Sequence, residues 1–295
     1  MTLREALGAG RFVVTAESQP PKGTAVEEAL RQAEELRGRV TAFNVTDQQS
    51  SVMRLGSLAL CHLLAERSLE PIYQVTCRDR NRIALQSDLL SAAALGIENV
   101  LCLTGDHVSL GDHPQAKPVF DLDAVTLLVA ARALTEGRDL AGHELAGAPR
   151  FFLGAVVSPC AEPVEPQLFK MEKKVRAGAQ FFQTQAVFAL DRFAAFMEAA
   201  RGFGVPVIAG IILLKSARMA RFMNQNIPGI RVPDELIREL EASKDREGTS
   251  VAIAARLIRD LRPICAGVHI MAMGWEHLIP RVLEASGLPV PAEAA

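Results

Sequence analysis

The chain has 295 residues, 49% of them hydrophobic, and carries 32 basic against 34 acidic side chains for a net charge of −2. That balance gives no electrostatic reason for nucleic acid or an anionic membrane as partner, and no apolar run reaches the ~20 residues of a membrane span. The start, Met1-Thr2-Leu3-Arg4-Glu5-Ala6-Leu7, lacks the apolar core of a signal peptide, so a cytoplasmic protein is expected.

Short β-branched apolar runs alternate with longer helical patterns. Arg11 to Glu17 is the first run, followed by a helical stretch near Ala25 to Leu36. Val40 to Thr46 precedes a helix from about Val52 to Glu66, and Pro71 to Cys77 precedes one from about Arg80 to Leu95. Asn99 to Thr104 leads through a Gly- and Asp-rich loop to a helix near Asp123 to Thr135. Phe151 to Val157 is followed by a helix near Gln167 to Ala177, and Gln180 to Ala186 by one from about Asp191 to Phe203. Val205 to Leu213 leads to Ala217 to Met223 and then to a longer helical region, Pro233 to Leu261. Gly267 to Met273 is the last run, and Trp275 to Ala285 the last helix. The tail, Pro289 to Ala295, is expected to fray.

Strands that alternate with helices imply a parallel sheet, because parallel neighbours need a helical crossover. The runs are nearly continuous apolar stretches, as expected of strands buried on both faces. Gly96, Gly178, Gly204 and Gly267 stand where helices should end before the next strand. Eight such units predict an α/β fold of the TIM-barrel type, (β/α)8, as a single domain over residues 1–295. The rival, an open doubly wound sheet, would usually carry Gly-x-Gly-x-x-Gly after its first strand. The turn here is Glu17-Ser18-Gln19-Pro20-Pro21.

A β/α barrel does its chemistry at the C-terminal ends of its strands. Those ends read Glu17-Ser18-Gln19, Thr46-Asp47-Gln48, Thr76-Cys77-Arg78, Thr104-Gly105-Asp106, Ser158-Pro159, Thr184-Gln185, Lys215 and Met271 to Gly274. Glu17 ends a strongly apolar run before two stiffening prolines. In a partly apolar pocket its pKa would rise toward that of a general acid; the alternative is an ion pair or a helix cap. Asp106 follows a glycine that permits close backbone approach to a ligand, and reads otherwise as a turn or N-cap aspartate. Gln185 could read a heterocycle edge or satisfy loop backbone. Lys173 and Lys174 could reach a phosphate or form a solvated helix face. His269 reads equally as a hydrogen-bonded core histidine or a ligand contact. His107 and His113 fit a plain polar loop better than a metal site, and Arg78-Asp79-Arg80-Asn81-Arg82 reads as a solvated turn. Cys61, Cys77, Cys102, Cys160 and Cys265 lack Cys-x-x-Cys spacing, which favours buried thiols over a disulfide framework or zinc, and no metal site is expected.

These corners, in this order, resemble the methylenetetrahydrofolate reductases, flavin-containing (β/α)8 barrels, from about Phe12 to Leu288. The acidic residue before two variable positions and Pro-Pro is Glu17. The Val-Thr pair is Val45-Thr46, Thr-Cys is Thr76-Cys77, and Gly-Asp is Gly105-Asp106. The Lys173-Lys174-Val175-Arg176-Ala177-Gly178-Ala179 segment leads to Thr184-Gln185, and Gly-Ile is Gly210-Ile211. The resemblance implies that Glu17 and Asp106 are catalytic: Glu17 protonates a folate nitrogen, opening the ring of methylenetetrahydrofolate to an iminium cation. Hydride then comes from reduced flavin, and Asp106 favours the cation. Gln185 would bind folate with them. Thr46, Gln74, Thr104, Gly105, Asp106 and Lys174 would contact the flavin, FAD or FMN. The chain departs from the family where Thr104 replaces an arginine, Gln74 a histidine, Asp47 an aromatic residue, Met219 a glutamine and Trp275 an arginine. No tyrosine ends its fifth strand. These departures leave the electron donor open between NAD(P)H and a partner electron-transfer subunit. Two other readings stay open: a folate- or flavin-binding subunit active only with its partner, and a flavin-free pterin-binding methyltransferase barrel. A homo-oligomer is left open as well, as is a place in methionine biosynthesis.

Overall fold

The computed structural model describes residues 1–288, so the tail expected to fray lies outside the described residues. The strands are β1 (Val13–Ser18), β2 (Ala42–Val45), β3 (Pro71–Thr76), β4 (Asn99–Leu103), β5 (Phe152–Val157), β6 (Phe181–Ala186), β7 (Val207–Ile212) and β8 (Gly267–Met271). Each pairs in parallel with the next, and β8 closes on β1 with Thr15 beside His269. Closure decides against the open sheet. Every apolar run expected to be a strand is one.

The helices are α1 (Leu3–Gly8), α2 (Glu27–Glu35), α3 (Ser57–Glu66), α4 (Arg82–Ala94), α5 (Ala124–Thr135), α6 (Glu165–Ala177), α7 (Leu190–Ala200), α8 (Ala217–Asn226), α9 (Asp234–Ala242), α10 (Arg246–Leu261) and α11 (Ile279–Ala285). Four of these, α1, α3, α9 and α10, correct the sequence reading. Helix α1 was not expected, although Thr2 and Glu5 form the capping box that starts it. The long region Pro233 to Leu261 is two helices, because the Asp245 carboxylate accepts from the Gly248 amide at 2.9 Å and starts α10 anew. The helix expected from Val52 starts at Ser57; residues 52–56 are irregular and follow a 3-10 turn at Gln49–Ser51.

Gly96, Gly178 and Gly204 follow helices with φ of 77°, 118° and 64°, as expected. Gly267 does not. It opens β8, where a Cβ would lie 2.3 Å from the Val13 carbonyl oxygen. It is there for close strand packing.

The period-two alternation of strand side chains divides the molecule into two cores. Val14, Ala16, Phe43, Val45, Val75, Val100 and their equivalents pack between the barrel wall and the helices. Val13, Ala42, Ile72, Leu101, Phe152, Phe181 and Ile208 fill the base of the barrel interior, which α1 seals with Leu3, Ala6 and Leu7. The rings of Phe152 and Phe181 stack there at 4.9 Å. Above this apolar plug comes a polar layer. Asn44 and Gln183 exchange reciprocal amide hydrogen bonds of 2.6 and 2.9 Å, and Thr15 Oγ1 lies 3.0 Å from His269 Nδ1. The candidate site lies above that layer, at the C-terminal mouth.

Candidate active site

Two connected chambers occupy the mouth. One, of about 330 Å3, is lined by Glu17, Thr46, Gln74, Thr104, Gly105, Asp106 and Lys174 among others. The second, of about 270 Å3, is lined by Gln183, Gln185, His269 and Met271. Glu17, Gln74, Leu103 and Val156 belong to both. All eight residues singled out for catalysis, cofactor or substrate therefore line one chamber or both. A wider cavity of about 480 Å3 lies at the opposite end, against Arg11, Phe12, Leu283 and Leu288.

Glu17 projects from the end of β1 into the wall shared by the chambers. It keeps a little surface at the mouth but is otherwise ringed by protein. Burial pushes its carboxyl up to about 7; contact with the Gln49 amide opposes that shift, and the nearby Glu276 carboxylate adds to it. The Gln49 amide is itself oriented, because its oxygen accepts from Gln19 at 2.8 Å. A carboxyl in this range can give or take a proton near neutrality.

Asp106 is exposed to the first chamber, and its carboxylate has no hydrogen-bond partner among the described residues. Gly105 before it has a φ of +91°, and a Cβ there would lie 3.0 Å from Thr76 Cβ and 3.2 Å from Arg78 Cβ. Only glycine fits a turn that is both left-handed and pressed against β3. Thr104 lines the chamber, but its hydroxyl also accepts from the Ala124 amide at 3.1 Å, tying the turn to the start of α5.

Thr46 is buried, and its Oγ1 has no hydrogen-bond partner. Beside it Asp47, also buried, accepts from the Thr76 amide at 2.8 Å and the Thr76 hydroxyl at 2.9 Å, and pairs with Arg80. The segment read as a solvated turn is thus partly interior. Arg78 is only 2% exposed and Arg80 reaches inward, while Arg82 stays outside, paired with Asp121. Arg78 pairs with the adjacent Asp79, but its bonds to the Asp106 and Gln48 carbonyls, and that of Arg80 to Asp47, span about thirty residues, beyond any local pattern.

The two lysines of α6 divide. Lys174 turns inward and donates to the Val156 carbonyl at 2.7 Å; burial pushes its ammonium down to about 8, and Lys170 nearby adds to that shift. Lys173 faces out over the Phe169 ring at 4.4 Å. At the end of β6 a register shift between Gln183 and Ala186 breaks the ladder, and Thr184 Oγ1 accepts from the Gly210 amide at 3.0 Å. Such a bulge re-aims the following side chain, here Gln185, which is half-buried on the second chamber. The Gln185 side-chain oxygen accepts from the Ala186 amide at 3.0 Å.

His269 is a core histidine and also lines the second chamber; burial pushes its pKa down to about 4, against a contact with Thr15. Thr15, Asn44 and Gln183 beneath it were missed by the sequence reading. Their signal was a polar residue at an inward-facing strand position, alone among apolar neighbours only in the case of Asn44. His107 caps its own loop through Ser109, and His113 contacts Asp112, which pairs with Lys22. Among the described residues no three His, Cys, Asp or Glu side chains gather as a metal site, and Cys61, Cys77, Cys102 and Cys160 are buried free thiols. Lys215 Nζ lies 5.2 Å over the Trp275 ring, where the family resemblance placed an arginine.

A model of the family described as methylenetetrahydrofolate reductase matches residues 2–287. The chain belongs to that family. Among methylenetetrahydrofolate reductase relatives, a probable NADH-dependent enzyme of Oryza sativa is 27% identical over 98% of this chain and 49% of its own length. Methylenetetrahydrofolate reductase 2 of Schizosaccharomyces pombe is 25% identical over 86% of this chain and 43% of its own. The 5,10-methylenetetrahydrofolate reductase of Pectobacterium carotovorum is 23% identical over 85% of this chain and 80% of its own. The chain thus spans about half or less of the two eukaryotic relatives. Among solved structures, a Clostridium thermocellum protein described as binding two copies of 5-methyltetrahydrofolate superposes with a TM-score of 0.65 at 14% identity, over 97% of this chain and 98% of its own. Phosphonopyruvate hydrolase shares the fold more distantly, with a TM-score of 0.54 at 13% identity over 96% of this chain and 85% of its own. No helix among the described residues is long and apolar enough to cross a membrane.

Proposed function

We propose that the chain is a flavin-dependent oxidoreductase interconverting 5,10-methylenetetrahydrofolate and 5-methyltetrahydrofolate. The observation that carries this reading is Glu17, a carboxyl held near neutrality in the wall common to two chambers. Membership of the family supports the reaction, and the folate-binding Clostridium structure supports the substrate.

The first chamber suits a flavin ring. The Thr46 hydroxyl is an unpartnered buried group that a ring heteroatom would satisfy. Gly105 lines the chamber between Thr104 and Asp106, and Leu103 and Val156 offer apolar surface to a flat ring. Thr46, Gln74, the Thr104 to Asp106 turn and Lys174 would hold FAD or FMN there. When bound, the flavin supplies hydride exchange with the folate methylene carbon. The protein's part is protons and charge. Protonated Glu17 gives its proton to a folate ring nitrogen and opens the ring; ionised Glu17 takes it back in the reverse direction. Asp106, unpaired, places a negative charge where the resulting folate cation gains most from it. Gln185 hydrogen-bonds the folate. The NADH and NADPH named for relatives support a nicotinamide donor.

The purified protein should be yellow or bind added flavin, and should oxidise methyltetrahydrofolate with an artificial acceptor. Glu17→Gln should abolish folate turnover while NADH or dye still reduces the flavin. A colourless protein with neither flavin binding nor folate oxidation refutes the reading. Activity that appears only with a co-purifying protein would assign electron supply to a partner subunit.

A further inference from the structure

We propose that Arg78 is a positioning residue of this site: its buried guanidinium clamps the loops after β2 and β4 together and thereby sets where the Asp106 carboxylate stands. The role assigned to Asp106 in the proposed reaction is presupposed; the clamp itself is not dependent on it.

Four observations converge on this side chain. Arg78 is 2% exposed, among the largest fully buried side chains of the molecule. Its Nη1 donates to the Asp106 carbonyl at 3.3 Å, and its Nη2 to the Gln48 carbonyl at 3.3 Å. Nε and Nη2 grip the Asp79 carboxylate at 2.7 to 3.1 Å. Gly105, in a left-handed conformation, lies against the end of β3, where a Cβ would stand 3.0 Å from Thr76 Cβ and 3.2 Å from Arg78 Cβ.

The geometry has a direction. The Asp106 carboxylate has no hydrogen-bond partner of its own, so its position is inherited from its backbone. That backbone is moulded on Thr76 and Arg78 and held by the Arg78 fork. Gln48, the other clamped residue, has a φ of +49°, an uncommon conformation for a side-chain-bearing residue that needs such outside support. Asp79 neutralises the guanidinium, so the clamp adds no net positive charge beside Asp106. The negative charge of Asp106 stays available to a cationic substrate. A lysine could supply the charge of Arg78 but not a planar fork reaching three acceptors.

The test uses the flavin-loaded protein with Arg78→Lys, Arg78→Met and the milder Asp79→Asn. In methyltetrahydrofolate oxidation, Arg78→Lys should lower kcat on the order of 10- to 100-fold with the folate KM little changed, as a displaced charge near the reacting atoms would. Arg78→Lys combined with Asp106→Asn should be no slower than Asp106→Asn alone. Independent of turnover, amide exchange should quicken at Gly105–Val108 and Gln48–Ser51 and stay unchanged elsewhere. Asp79→Asn should move exchange and kcat the same way by less, which keeps the test valid where an Arg78 variant does not fold. Additive losses in the double variant, or unchanged exchange in both loops, overturn the proposal. A wild-type protein that turns over no folate, while the variants still loosen both loops, refutes the functional reading and supports the clamp.

Discussion

Burial keeps Glu17 protonated to a pH of about 7, and the same burial weighs against the fold above that pH. The folded pKa is raised above the ordinary 4.5, so this group's contribution is fully present below about 4.5 and is lost as pH rises through 7. Glu17→Gln, which cannot ionise, should therefore stabilise the flavin-free protein by up to about 3 kcal/mol above pH 8 and by little near pH 4. Urea melts at both pH values check this; a stability difference that does not change with pH refutes it. The activity profile follows with the opposite requirement in each direction: folate reduction should fall above pH about 7, and folate oxidation below it. Thr46 offers a second separation of stability from function. Thr46→Val removes a hydroxyl that has no partner, so it should raise the stability of the flavin-free protein by about 1 kcal/mol. Losing that hydrogen bond should weaken flavin binding by about fivefold, read by fluorescence titration. Equal affinity would show that the hydroxyl does not face the ring. Glu17 and Thr46 were legible because each ends an apolar run, where barrel geometry alone assigns a site. Arg78 was not legible, since its charged neighbours imitate a surface turn and the two carbonyls it bonds, of Gln48 and Asp106, are distant in sequence.

Strands were legible for the reason that makes them strands: burial on both faces leaves continuous β-branched runs. Helix boundaries were less so. Ser243-Lys244-Asp245 carries no glycine or proline, and side-chain bonds of Ser243 and Asp245 to nearby backbone separate α9 from α10. Helix α1, at six residues, is too short for a hydrophobic period to register. Within the sheet, one glycine shows how tightly neighbouring strands fix each other. A Cβ on Gly154 of β5 would lie 2.2 Å from Cζ of Phe181 on β6. Gly154→Ala should cost about 1–3 kcal/mol by overpacking, measured by denaturant melts. Adding Phe181→Leu should recover part of that loss, because a smaller side chain vacates the contested space. If the double variant is instead as unstable as the sum of the two single changes, the clash is not the cause.

The barrel separates its tasks by height. Apolar side chains and α1 close the base, Thr15, Asn44, Gln183 and His269 form a hydrogen-bonded middle, and the carboxylates stand at the mouth. Closure itself was legible, because eight strand–helix units without a nucleotide-binding glycine turn favour a barrel over an open sheet. The middle layer was not, since its members stand within strands and acquire partners only when distant strands curl together. Separation by height makes a prediction about coupling. Leu3 is fully buried in the base cluster, so Leu3→Ala should cost about 2–5 kcal/mol through lost burial and the cavity left behind. It touches neither chamber. At a temperature where the variant is still folded, its kcat, folate KM and flavin affinity should match those of the parent, while its melting temperature falls. A drop in flavin affinity in the fully folded variant would mean that strain at the base crosses the Asn44–Gln183 pair to reach Thr46, one pleat above Asn44 on the same chain. Asn44→Ala would then reproduce the same loss of affinity with the base left intact.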